Sequence, residues 1–196
     1  MKLGEMNVRG QENGRVTIDG DVLTLASSEN RDWFFHPANE FRKQDVISIS
    51  ADIHEQVFSI TARVAVDFNS AYDAGAIFIE VDEDNWAKLA FEYSAEKKPT
   101  IVSVVTRTTS DDSDGPTHFA DSVWLRLYCD SETVAYHFSE DGRYWRFLRW
   151  FAIPNLAKRP IKAGFGVQAP TGSGCTARFS DIKFGNERIA NIRDGS

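Results

Sequence analysis

At 196 residues the chain can bury one substantial core but is too short for two, so a single domain over 1–196 is expected. A formal net charge of -7 excludes the broad basic surface that nucleic acid or an anionic membrane would require. Fourteen Phe, five Trp and five Tyr favour packed strands over helices.

The opening MKLGEMNVRGQENG lacks the apolar core of a secretory signal, and no apolar run approaches the ~18 residues of a membrane span. A cytoplasmic location is therefore the expectation. Cys129 and Cys175 are too few for a disulfide framework or a zinc knuckle, and they read as buried reduced thiols. The basic groups Arg143, Arg146, Arg149 and Lys158, Arg159 sit among or near acidic residues.

In chain order, a short strand around Val16, Thr17 and Ile18 meets the turn Asp19-Gly20, which folds Val22–Ala26 back as a hairpin. Arg31-Asp32-Trp33-Phe34-Phe35-His36-Pro37 concentrates aromatics before a proline stop. Val46–Ala51 and Phe58–Val66 follow as strands, and the second alternates apolar with polar or small residues, the period of a half-buried strand. Ala74–Val81 is more continuously apolar, as for a strand covered on both faces. Asp82-Glu83-Asp84-Asn85 turns the chain into Trp86–Tyr93, and Glu96-Lys97-Lys98-Pro99 turns it into Thr100–Arg107.

Ser110-Asp111-Asp112-Ser113-Asp114-Gly115-Pro116 reads as a loop. Val123–Cys129 and Thr133–Ser139 form the next hairpin, Asp141-Gly142 turns into Tyr144–Phe151, and Ile161–Ala169 and Cys175–Phe184 complete the set. About a dozen short strands at regular spacing, with no helical period and no repeat, predict an all-β sandwich.

Side chains alternate faces along a strand, so parity sorts them. Trp86, Lys88 and Glu92 share one face opposite Ala87, Leu89 and Phe91; Trp124, Arg126 and Tyr128 share one opposite Val123, Leu125 and Leu127. If the two strands are neighbours, these six residues form one polar-aromatic surface, joined by Ser103, Arg107 and Gln168. Such a surface suits sugar rings, whose C–H faces stack on aromatics while hydroxyls meet carboxylates, amides and guanidiniums. The bland reading is a set of cross-strand ion pairs with the aromatics covered by a loop.

A non-catalytic module for a carbohydrate or other small polar ligand is the leading expectation. A glycoside hydrolase in the same groove is the first alternative, with Glu92 as its best carboxylate and a partner carboxylate across the groove. Glu80, Asp82 and Asp84 alternate as a glucanase signature would, but Asp-Glu-Asp-Asn is better read as turn chemistry. A protein-interaction domain acting through Trp145 and Trp150 is the second alternative. No cofactor is expected: His36, His54, His118 and His137 lack metal-ligand spacing, and Asp111, Asp112 and Asp114 lack the frame of an EF-hand. Nothing in the sequence indicates an oligomeric state.

Several short motifs recur in a family-like order: Asp32-Trp33-Phe34, Tyr72-Asp73-Ala74-Gly75, Asn85-Trp86-x-Lys88, Phe91-Glu92-Tyr93 and Val104-Val105-Thr106. They continue with Ser110-Asp111, Trp124-Leu125-Arg126, Ser139-x-Asp141-Gly142-x-x-Trp145 and Gly164-x-Gly166-Val167-x-Ala169-Pro170. Together, across nearly the whole chain, they resemble the regulation-of-enolase-type domains of unknown function of the concanavalin A-like lectin/glucanase superfamily. The resemblance implies a jelly roll of two curved antiparallel sheets with a concave groove. It places Trp86, Lys88, Glu92 and Arg126 among the motif positions and supplies no activity. Where that family commonly has an aromatic after Ser-Asp, this chain has Asp112.

Overall fold

Period-two alternation is the main force shaping this chain, and it recurs throughout a computed structural model that describes residues 2–158 and 160–196. Arg159, half of one basic pair, lies outside the described residues. The strands are β1 (Asn7–Arg9), β2 (Gly14–Asp19), β3 (Val22–Ser28), β4 (Trp33–Phe35), β5 (Arg42–Gln44), β6 (Ile47–Ile53), β7 (Phe58–Val66) and β8 (Ala74–Asp82). They continue with β9 (Asn85–Tyr93), β10 (Pro99–Arg107), β11 (Thr109–Thr117), β12 (Ser122–Cys129), β13 (Val134–Ser139), β14 (Arg146–Phe151), β15 (Ile161–Gln168) and β16 (Gly174–Gly185). Among the described residues the helical content is two 3₁₀ turns, Leu3–Glu5 and Gln11–Asn13.

Two seven-stranded antiparallel sheets make the sandwich. The first runs β1-β6-β15-β8-β9-β10-β11 and the second β14-β13-β12-β7-β16-β3-β2. The concanavalin A-like jelly roll is thus the fold. Between the sheets lies one core in which Ile77, Ile79, Leu89 and Phe91 of the first meet Ile60, Val64, Leu125 and Leu127 of the second. The predicted turn around Asp19-Gly20 pairs Asp19 with Val22, with Gly20 at φ 56°, a left-handed value that glycine adopts without strain. Both cysteines are buried as thiols.

One element contradicts the sequence reading. Ser110–Pro116 is not a loop: it lies within β11, the edge strand paired to β10. An edge strand bonds on one side only, so aspartates, Gly115 and Pro116 are tolerated there, and its charge opposes sheet-to-sheet aggregation.

The hairpin β4-β5 lies across the outer face of the first sheet. Trp33 packs on Phe78 and Trp86 at centroid distances of 4.6 and 5.0 Å, and Phe35 meets Trp86 at 5.4 Å. With Val46, Val102 and Val104 these rings form a second, smaller core. The hairpin is tied down where the Phe35 N–H donates to Ser110 Oγ (3.0 Å), which in turn bonds Thr106 Oγ1 (2.8 Å). It covers the Trp86 end of β9 and leaves the Glu92 end open.

Candidate functional site

The open part of that face is a cleft of about 440 Å³. Cross-strand register builds its floor. One row places Lys88 of β9 beside Val104 of β10 and then Asp112 of β11; the next places Ala90 beside Val102 and Asp114; a third places Glu92 between Ala74 of β8 and Thr100. Gln168 of β15 joins the third row through Ala74. Ala74, Ala76 and Ala90 pack together in this part of the sheet, and such short side chains leave room above them.

Lys88 is buried at the border between hairpin and cleft. Its Nζ donates to the Trp33 carbonyl (2.7 Å) and to Gln168 Oε1 (2.5 Å), and Gln168 Nε2 donates to the Tyr72 carbonyl (2.9 Å). This chain of bonds joins β9, β15, the hairpin and the segment before β8. Asp73 fixes that segment, its Oδ2 accepting the N–H groups of Asn69 (2.9 Å) and Ser70 (2.8 Å). Tyr72 is thereby held at φ 71°, a region that non-glycine residues rarely occupy, with 41% of its surface exposed at the cleft rim. Phe34 and Phe41 form the facing rim, their rings 6.2 Å apart.

The electrostatics are those of an acidic hollow around one cation. Burial pushes Glu92 up from 4.5 to about 8; Lys88 pulls it down, while Asp114, Asp32 and Asp112 push it further up. Burial also lowers Lys88, against the pull of Asp32, Glu92 and Asp112. Glu92 is thus a neutral, proton-donating carboxyl below pH 8, beside carboxylates that accept hydrogen bonds. Among the described residues, no group of three or more His, Cys, Asp or Glu side chains is arranged to hold a metal ion.

The nine residues expected to share one surface do not. Lys88, Glu92 and Gln168 come together in the cleft. Trp86 lies in the same sheet but is fully buried beneath Trp33, so it is a core residue and not a ligand platform. Ser103 and Arg107 sit on β10 with the opposite parity. Ser103 accepts a bond from Arg149 of β14 (3.3 Å), and Arg107 donates to the Ala152 carbonyl (2.8 Å).

Trp124, Arg126 and Tyr128 belong to the other sheet, because β12 pairs with β7 and β13 rather than with β9. Their outer face is partly covered by the segment 189–196. Arg126 Nη1 donates to the Gly195 carbonyl (2.8 Å), His137 Nε2 to the Ile192 carbonyl (2.8 Å), and Tyr128 has a backbone hydrogen bond with Ile189.

Sequence reasoning missed Asp112 and Asp114 by taking their strand for a loop. It missed Asp32, Phe34 and Phe41 because nothing in local pattern says that a hairpin will fold over a sheet. The aromatic concentration from Trp33 to Phe35 was the available signal. The acidic turn behaves as turn chemistry: Asp82 Oδ1 accepts the Asp84 N–H (3.0 Å) and Asn85 Nδ2 (2.7 Å), while Glu80 pairs with Arg9 (2.8 Å). Trp150 is 48% exposed on the outer strand β14, whereas Trp145 is half-buried under Arg126. No helix among the described residues is long and apolar enough to cross a membrane.

Comparison with known proteins places this geometry. The chain is 26% identical over 145 residues to Regulation of enolase protein 1 of Saccharomyces cerevisiae, spanning 74% of this chain and 69% of the relative. A crystal structure of a functionally unknown protein from Saccharomyces cerevisiae superposes with a TM-score of 0.87 at 20% identity, over 96% of this chain and all of that one. The GH43 BlXynB protein from Bacillus licheniformis matches with a TM-score of 0.67 at 12% identity, over 93% of this chain but 40% of that longer chain. At these identities the solved structures speak for the fold alone. Residues 11–187 match the family described as proteins of unknown function, DUF1349, and the chain belongs to that family.

Proposed function

We propose that the cleft on the outer face of the first sheet binds a small polyhydroxylated ligand, most simply one or two sugar units of a neutral carbohydrate. One observation carries this reading: buried Lys88 and Glu92 face a hollow whose rim holds the exposed rings of Phe41 and Tyr72. Those rings offer stacking surface to sugar C–H faces. Asp32, Asp112 and Asp114 accept from hydroxyls, and a neutral Glu92 both donates and accepts. The acidic surround disfavours anionic ligands, so a neutral sugar fits better than a phosphorylated one. A volume of about 440 Å³ lies within the range of small-molecule pockets.

The test is calorimetric titration of the purified protein with a panel of neutral oligosaccharides, alongside Phe41→Ala and Glu92→Gln. Binding should be saturable in the wild type and at least about tenfold weaker in each variant, a loss of ~1.4 kcal/mol. A silent panel, or a Phe41→Ala variant that binds as the wild type does, overturns the reading and shifts attention to a protein partner at Trp150.

A catalytic version has its own support. Glu92, raised by burial and by the carboxylates of β11, has the environment of a general acid. Release of reducing sugar from a bound oligosaccharide, lost in Glu92→Gln with binding retained, would make this a glycosidase.

A further inference from the structure

The opposite face of the sandwich carries a second pocket of about 310 Å³, and its charge is reversed. Register again assembles it: one row across the outer face of the second sheet runs Lys183 of β16, Thr61 of β7, Arg126 of β12 and His137 of β13. Trp124 and Trp145 supply aromatic walls, and the hydroxyls of Ser59 and Thr61 line the base. Gly142, in the turn after β13, closes one side. Gly142 sits at φ 73°, and a Cβ there would come within 2.8 Å of the Trp124 ring, so only glycine lets the turn lie against the indole.

Arg126 is the unusual member. It is 9% exposed, and its guanidinium stacks over the Trp145 ring at 3.9 Å. Its Nη1 reaches the Gly195 carbonyl, but its Nε is buried with no hydrogen-bond partner. No aspartate or glutamate lines the pocket among the described residues. Burial without a compensating carboxylate lowers Arg126 to about 10. A buried guanidinium with an unused donor is costly, and the group that relieves it best is an oxyanion. Lys183, exposed at the other end of the row, adds a second positive charge.

We propose that this pocket binds a small ring compound bearing a carboxylate, with the carboxylate between Arg126 and Lys183 and the ring against Trp124 and Trp145. Planar guanidinium and aromatic walls fit a flat or chair-shaped ring with one charged edge. Sugar acids and aromatic acids share this chemistry. The proposal is independent of the first cleft, which lies on the other sheet and has the opposite charge.

The experiment follows the indole N–H signals of Trp124 and Trp145, assigned by Trp→Phe variants, in NMR titrations with glucuronate, benzoate and glucose. Saturable shifts with glucuronate alone assign a sugar acid, with benzoate alone an aromatic acid, and with both a general ring-carboxylate site. Lys183→Ala, at an exposed position that leaves the fold intact, should weaken binding by about tenfold. Arg126→Gln should abolish it where the protein folds. Silence with both anions, equal shifts with glucose, or wild-type affinity in Lys183→Ala would overturn the proposal.

Discussion

Replacing Glu92 by Gln should change how stability depends on pH. In the folded chain Glu92 holds its proton to about 8, whereas its exposed value is 4.5. Between those values the folded state binds a proton that the unfolded state lacks. Stability therefore falls as pH rises through that window, by ~1.4 kcal/mol per pH unit at most. Lys88 works in the opposite sense: burial lowers it, so its cost shrinks as pH rises, and while Glu92 keeps its proton Lys88 faces a neutral neighbour in both proteins. Glutamine matches glutamate in shape, stays neutral and keeps the cleft packed.

From pH 5 to pH 8 the wild type should lose on the order of 3–4 kcal/mol relative to Glu92→Gln. Urea unfolding at both pH values measures this directly. With a slope of ~2 kcal/mol/M, the two midpoints should diverge by roughly 1–2 M across the range. The comparison cancels contributions from histidines common to both proteins. A stability difference that stays constant between pH 5 and pH 8 would refute the argument that a buried, proton-holding Glu92 floors the cleft.

Three further outcomes follow from the same geometry. Trp86→Ala should destabilise the fold by about 3–5 kcal/mol, because it empties the small core under Trp33 and Phe35; a thermal melt within a degree of the wild type would contradict this. Lys88→Met removes the cation that pulls Glu92 down, so the Glu92 carboxyl should titrate above 8, as read by carboxyl-carbon NMR shifts. An unchanged or lower midpoint would show that Lys88 does not act on Glu92. Gly142→Ala combines a left-handed backbone with a clash against Trp124 and should cost about 1–3 kcal/mol in chemical unfolding, with a near-neutral result counting against the tight turn.

Local pattern alone was enough to read the all-β class and most strand positions. Alternation along Phe58–Val66 and the apolar run of β8 are direct imprints of which faces are buried, and turns such as Asp19-Gly20 carry their own backbone chemistry. The acidic edge strand β11 was illegible because an edge position relaxes the composition a strand must have, so its aspartates mimic a loop.

The site was half-legible for a related reason. Parity correctly separates Lys88 and Glu92 from the core residues between them, since alternation is a property of the strand itself. Parity says nothing about which sheet a strand joins. That choice depends on pairings between residues tens of positions apart, and it sent Trp124, Arg126 and Tyr128 to the far side of the sandwich. Nor does it reveal what lies over a face. The hairpin β4-β5 turned Trp86 into core while leaving Glu92, six residues along the same strand face, beneath an open cleft. Sequence alone determined which side chains point away from the core; only tertiary packing decided which of them share a surface, because burial on an outer face is set by whatever distant segment folds over it.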